Sequence, residues 1–157
     1  METLYFDIKP ISLNRCNRAI YRPKKGGGFI ANIKSEEYRQ FESKMAKELS
    51  AQASRISRIA DLFVEGENFF VNKYTFLFPK DQLITRRGTI NKRCSDIDNL
   101  VKPVNDQLFK AMRLYNSSID DSAIMKMEAI KAPSDTGDYK IIVEIMLQNS
   151  LNGFNIY

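Results

Sequence analysis

The sequence predicts an α+β fold: a single domain whose mixed β-sheet of about four to five strands is covered by two main helices. Three stretches predict it. From Tyr38 to Ile56 apolar residues recur every three or four positions, and from Phe69 to Phe78 they occupy both faces of a strand. From Leu100 to Met112 the helical spacing returns, ahead of two further strand-like segments. The 157 residues suit one domain with a real core, assigned to residues 1–147, and leave a tail at 148–157.

In chain order, Leu4 to Ile8 reads as a short strand ended by Pro10, and Asn14 to Arg22 reads as a loop carrying Arg15, Arg18 and Arg22. Lys24-Lys25-Gly26-Gly27-Gly28 follows as a hairpin tip. It is no phosphate-binding P-loop, because the lysines precede the glycines and no Lys-Ser opens a helix behind them. Ser35 is a good N-cap, and Glu36 and Glu37 stand in the first turn, where the helix dipole favours them. Tyr38, Phe41, Met45, Leu49, Ala53 and Ile56 then form one apolar stripe, read as a single amphipathic helix.

Phe69 to Phe78 places Phe70, Tyr74, Phe76 and Phe78 on one face and Phe69, Val71, Thr75 and Leu77 on the other, so it belongs inside a sheet. Leu100, Val104, Leu108, Ala111 and Met112 keep helical spacing until Asn116-Ser117-Ser118 breaks it. Ala123 to Lys131 and Tyr139 to Leu147, joined by Ser134-Asp135-Thr136-Gly137-Asp138, read as a C-terminal hairpin. The tail is read either as disordered or as packing on a second subunit through Phe154 and Ile156.

Charge and composition narrow the chemistry. With 24 basic and 19 acidic residues the net charge is +5, which favours an anionic partner. No apolar run is long enough to span a membrane, and the N-terminus lacks the pattern of a signal peptide, so a cytoplasmic protein is expected. Two cysteines (Cys16 and Cys94) and no histidine cannot build the common zinc sites. Cys94 has no histidine to activate it as a nucleophile. Hydrolysis here must run on carboxylates, lysine, water and metal.

Those groups concentrate in Asp96-Ile97-Asp98-Asn99-Leu100-Val101-Lys102, followed by Asp106 and the pair Asp120-Asp121. If Asp96 and Asp98 are extended, their carboxylates face one side about 6.6 Å apart. Two hard oxygen donors facing one space suit magnesium, which binds through one or two carboxylates and keeps its waters. On a helix beginning near Asp98, Lys102 and Asp106 share that residue's face. A plain alternative makes Asp98 an N-cap and Asp96 a loop residue. An EF-hand loop fails, because Leu100, Val101 and Gln107 fall where a ligand, a glycine and a glutamate are needed. Pro103 directly follows the lysine, so either the helix starts irregularly or Lys102 sits at its entrance. Just upstream, Arg86, Arg87, Lys92 and Arg93 put four cations within eight residues, a means of holding phosphates beside an acidic pocket.

Asp-x-Asp-Asn-Leu-x-Lys at 96–102, Asp106-Gln107-Leu108, and Asp120-Asp121 before a strand together resemble the RusA family of Holliday-junction resolvases. The basic run before Asp96 and the early turn Ser12-Leu13-Asn14 belong to the resemblance. The segment from Lys110 to Ile119 is longer than the family pattern. The resemblance implies a magnesium-dependent (Mg2+, with Mn2+ as substitute), homodimeric endodeoxyribonuclease that resolves four-way DNA junctions by paired symmetric nicks in a bacterial or phage-infected cell. Carried over by position, Asp96, Asp98 and Asp121 are expected to bind the metal and Lys102 to be the catalytic lysine. Asp106, Asp120 and Asn99 are expected to support them. Arg86, Arg87, Lys92, Arg93, Asn14, Arg15, Lys24 and Lys25 are the expected DNA contacts. Two other classes stay open: a junction-binding protein that has lost turnover, and a magnesium-dependent enzyme acting on nucleotides.

Overall fold

The computed structural model describes residues 1–149; the expected role of Phe154 and Ile156 lies outside the described residues. Twelve elements follow in order: β1 (Glu2–Phe6), a 3-10 turn (Leu13–Arg15), β2 (Asn17–Lys24), β3 (Gly27–Lys34), α1 (Glu36–Ala51), α2 (Ala53–Asp61), β4 (Phe69–Phe78), α3 (Lys80–Leu83), α4 (Ile97–Met112), a second 3-10 turn (Asp121–Ala123), β5 (Ile124–Pro133) and β6 (Lys140–Gln148). A mixed four-stranded sheet runs in the order β1-β6-β4-β5, and β2 and β3 form a separate two-stranded hairpin. The α+β class and the four-stranded sheet agree with the sequence reading.

β4 is central because both its edges and both its faces are suited to contact. It pairs antiparallel with β6 and parallel with β5, and its core-facing residues Phe70, Tyr74, Phe76 and Phe78 are buried. On its other face Phe69 is buried, while Val71, Thr75 and Leu77 are only half-buried. The parallel β4–β5 pair needs a long crossover, and residues 79–123, with α4 among them, supply it.

The expected C-terminal hairpin does not form. β6 takes the opposite edge of β4 from β5, with Tyr74 in register with Val143 on one side and Ala129 on the other. The connection is long enough to pass over one strand end, and Ser134 N–H donates to the Phe78 carbonyl (2.7 Å) as it does so. β5 is thus an edge strand, and Met125 and Met127 remain about half exposed (51% and 47%) rather than packed against a hairpin partner.

The single helix expected over Tyr38–Ile56 is also two. Ser35 caps α1 as expected, its hydroxyl accepting from Tyr38 N–H (3.1 Å). Gln52 then leaves helical geometry (φ −111°, ψ 20°), and its side-chain amide donates to the Tyr5 carbonyl (2.8 Å) and accepts from Tyr5 N–H (3.1 Å). Arg55 adds a bond to the Thr3 carbonyl (2.7 Å). These bonds satisfy the outer edge of β1, which would otherwise be an open strand edge. The segment read as a loop from Asn14 to Arg22 is likewise a 3-10 turn followed by β2.

The core lies between one face of the sheet and helices α1, α2 and α4. Phe70 stacks on Phe63 (5.0 Å between centroids) and meets Phe109 of α4 edge-on (5.3 Å). A polar link joins α4 to β4 across this core. The Tyr74 hydroxyl donates to Asn105 Oδ1 of α4 (2.6 Å) and accepts from Asn72 Nδ2 (3.1 Å), with all three residues buried. Burial pushes the Tyr74 hydroxyl well above its usual range, so it stays neutral and remains a donor.

Tyr74→Phe should therefore cost about 1–3 kcal/mol, because it leaves the buried Asn105 amide oxygen without its donor. A lowered urea midpoint with an unchanged slope is the expected result; an unchanged midpoint would remove this bond from what holds α4 in place.

Candidate active site

α4 begins at Ile97. Asp96 holds the extended N-cap conformation (φ −64°, ψ 148°), but its side chain makes no capping bond. Asp98 lies in the first turn, where the helix dipole favours a carboxylate. The two are therefore not alternate residues of a strand, and the 6.6 Å strand spacing does not apply. Nor is Asp98 the cap. Both carboxylates are exposed, and among the described residues neither forms an ion pair or hydrogen bond.

Pro103 is buried inside the helix, six residues past its start, so the helix neither starts irregularly nor places Lys102 at its entrance. Lacking an N–H, Pro103 cannot donate to the Asn99 carbonyl one turn back. Burial of Leu100, Val104, Leu108 and Met112 turns the opposite face outward, and that face carries Asp98, Lys102 and Asp106 at four-residue spacing.

Lys102 is the meeting point. Its ammonium lies 2.6 Å from Asp106 Oδ1 and 3.4 Å from Asp121 Oδ2, with all three side chains about half exposed. The hydrogen bond to Asp106 is the main reason its pKa is raised above the ordinary lysine value, with Asp106 and Asp121 charge adding to it. Lys102 is thus a fixed cation at neutral pH, not a proton acceptor.

Asp121 reaches Lys102 because the preceding segment is tied down. Asn116 Nδ2 donates to the Ala60 and Phe63 carbonyls (3.0 and 3.1 Å), docking the long connection on the end of α2. Arg113 donates through Nε to the Ile119 carbonyl (2.9 Å) and through a guanidinium nitrogen to Asp120 Oδ2 (3.1 Å). Asp120 also accepts from Ser122 N–H (3.0 Å), and that backbone bond leads the causes that lower its carboxyl pKa. Asp120 is committed to its own turn; Asp121 is the one turned to the lysine.

Upstream of Asp96, residues 84–91 form a tight turn. Ile84 bridges Ile90, Thr85 bonds Thr89, and Gly88 takes φ +77°, leaving Arg86 and Arg87 exposed at the tip. Lys92 and Arg93 are exposed on the strand of chain leading into α4. Lys131 of β5 donates to the Ser95 carbonyl (2.9 Å) and holds the backbone immediately before Asp96. Of the other expected contacts, Asn14 is exposed in the first 3-10 turn and Arg15 lies 3.5 Å from Glu37. Lys24 and Lys25 stand at the exposed hairpin tip. Asn99 is half-buried in the first turn of α4.

The structure thus brings Lys102 and Asp106 of α4 together with Asp121 of the second 3-10 turn, and places Asp98 one turn before Lys102 and Asp96 at the N-cap of the same helix. Among the described residues no three carboxylates converge closely enough to hold a metal ion. The donor chemistry, all carboxylate oxygen with no histidine, is that of a hard divalent cation of the magnesium or manganese kind. Sequence reasoning missed Lys131, Arg113 and Asn116. Each acts by bonding a backbone or side chain distant in sequence, and none has a local spacing that marks it.

Two comparisons with known proteins bear on this arrangement. A family model described as endodeoxyribonuclease RusA matches residues 10–146. No curated protein matches the chain.

The sign of the Lys102 shift can be checked directly. A raised folded-state pKa contributes stability that is fully present below the ordinary value of 10.5 and is lost as pH rises through the folded value. In a lysine-detected NMR titration Lys102 should deprotonate above 10.5, and Asp106→Asn should move it back down. A midpoint that Asp106→Asn leaves unmoved would show that Asp106 does not hold this ammonium.

Proposed function

The chain belongs to the RusA family of endodeoxyribonucleases, which are crossover-junction resolvases, and from that premise we propose that it is a magnesium-dependent enzyme resolving four-way DNA junctions by paired symmetric nicks. The observation that carries this reading is Lys102 held between Asp106 and Asp121 (2.6 and 3.4 Å), on the helix that carries Asp96 at its N-cap and Asp98 in its first turn. The family match leaves a nucleotide-processing enzyme without support.

In this reading Asp96, Asp98 and Asp121, which are not gathered into a preformed site, would be the carboxylates that hold the divalent cation. The chemistry such a cation would supply there is Lewis-acid polarisation of the scissile phosphate and a water of lowered pKa. Lys102, always protonated at working pH, stabilises charge on the phosphate oxygens or the leaving oxygen. Asp106 keeps the ammonium aimed across the site rather than into solvent. Lys131 and Arg113 act one step back, the first fixing the backbone before Asp96 and the second the turn before Asp121. Arg86, Arg87, Lys92 and Arg93 hold flanking phosphates and set the register of the DNA without reading bases. Asn14, Arg15, Lys24 and Lys25 extend that phosphate-facing surface. A two-fold dimer would present two such sites to a two-fold junction, which explains paired incision by symmetry.

Asp98→Asn should abolish cleavage of a synthetic four-way junction while leaving binding intact, since removing a negative charge cannot weaken phosphate contact. Normal cutting by this variant would show the site to be misassigned. Lys102→Gln should slow cleavage on the order of 10²–10³-fold with little change in junction affinity. Replacing Lys92 and Arg93 together with Ala should flatten the dependence of log K on log salt by about 2; an unaltered slope would take both off the DNA surface.

A further inference from the structure

Residues 17–34, the β2–β3 hairpin, form an arm of which the proposed function uses only Lys24 and Lys25. From Tyr21 to Ile30 every residue is exposed, so the arm beyond its root has no core of its own. A lone two-stranded hairpin is at best marginally stable in water, so this one is shaped for a surface it meets.

Its charge says which kind. The arm contains Arg18, Arg22, Lys24, Lys25 and Lys34 and no acidic residue. Removing these five from the chain's 24 cations leaves 19, which the 19 acids balance, so the arm carries the whole net charge of +5. Two such arms repel each other, which argues against a second copy of the chain as the occupant. The surface fits a polyanion.

Its apolar side chains say more. Tyr21, Phe29 and Ile30 are 66%, 53% and 73% exposed. Tyr21 sits opposite Ile30 on one face of the hairpin, and Phe29 opposite Arg22 on the other. The Tyr21 ring lies across Gly28, where any side chain would collide with it. Each face thus offers one exposed ring, and Phe29 shares its face with Arg18, Arg22 and Lys24. An exposed ring near cations matches a base face with its phosphate, and each base stacked on such a ring contributes substantially to affinity.

The root of the arm leads to the active site. Lys34 donates to both oxygens of Glu42 (2.7 and 2.9 Å), and Gln107 of α4 donates to the same carboxylate (3.0 Å). Gln107 directly follows Asp106, the partner of Lys102. Ser35, at the foot of β3, bonds the Arg15 and Cys16 carbonyls (2.5 and 2.9 Å), closing the base of the hairpin.

We propose that the β2–β3 hairpin is a branch-recognition arm, whose Tyr21 and Phe29 stack on bases left unstacked at a DNA branch point while Arg18, Arg22, Lys24 and Lys25 hold the adjoining phosphates. The proposal rests on the junction-nuclease reading and adds to it the source of structural selectivity. Bases inside a continuous duplex are stacked on one another and offer no free face, so the aromatic contacts are available only where strands part.

The chain contains no tryptophan, so Tyr21→Trp creates a single reporter. A four-way junction, with calcium in place of magnesium to prevent cutting, should quench its emission. A linear duplex of equal phosphate content should not. In parallel, Tyr21→Leu with Phe29→Leu keeps an apolar side chain at both positions but removes the rings. It should weaken junction binding about tenfold or more while duplex binding stays near wild type. Equal quenching by both DNAs, or wild-type junction affinity in the leucine variant, overturns the proposal. So does an equal loss on both DNAs, or a loss of self-association in the leucine variant, which would assign the arm to a subunit contact. If the wild-type protein neither binds nor cuts junctions, the nuclease reading fails first; if it cuts them and the leucine variant retains the same selectivity, the arm alone is misread.

Discussion

The seating of α4 against β4 is the constraint on which the rest of the structure depends. One face of the helix is sealed by Leu100, Val104, Leu108 and Met112, each of which contributes roughly 1.5–3 kcal/mol by leaving water. Apolar packing is non-directional, so it does not by itself fix how far the helix is rotated or slid. The Tyr74–Asn105 hydrogen bond is directional and buried, and it pins the helix to one residue of the central strand. With that register set, the opposite face must present Asp98, Lys102 and Asp106 outward in one column.

A second consequence is that the site has two halves from distant parts of the chain. The helix supplies Asp96, Asp98, Lys102 and Asp106; the connection to β5 supplies Asp121. That connection reaches the helix only because the crossover returns to the neighbour of the strand it left, as a parallel pair requires. Asn116 and Arg113 then hold it in place through backbone carbonyls, which is why a long segment can deliver one carboxylate to a defined position. The division of labour between adjacent aspartates follows from the same bonds, since Asp120 is bound to Ser122 and Arg113 while Asp121 faces Lys102.

Charge is distributed as unevenly as hydrophobicity. Cations gather at the loop before Asp96 and on the β2–β3 arm, and carboxylates gather along α4 and at Asp121. A purely acidic cleft would repel a phosphate chain. Here the carboxylates are flanked by cations, with Lys102 among them, so that repulsion is confined to a small part of a surface that is otherwise basic.

By itself the sequence determined the α+β class, the central strand at Phe69–Phe78, the helix after Asp96, the N-cap at Ser35, the buried stripes, and the acidic-and-lysine pattern. All of these depend on residue type and short-range spacing, which periodicity and capping chemistry express directly. Tertiary structure alone decided that β6 lies on the far side of β4, because a strand apolar on both faces accepts either neighbour and the intervening residues can span its width. It also decided the break at Gln52, whose side chain leaves the helix to satisfy the edge of β1. The contacts of Lys131, Arg113 and Asn116 were beyond the sequence for the same reason. A hydrogen bond between residues far apart in the chain leaves no periodic trace, and only the folded path brings its two ends within reach.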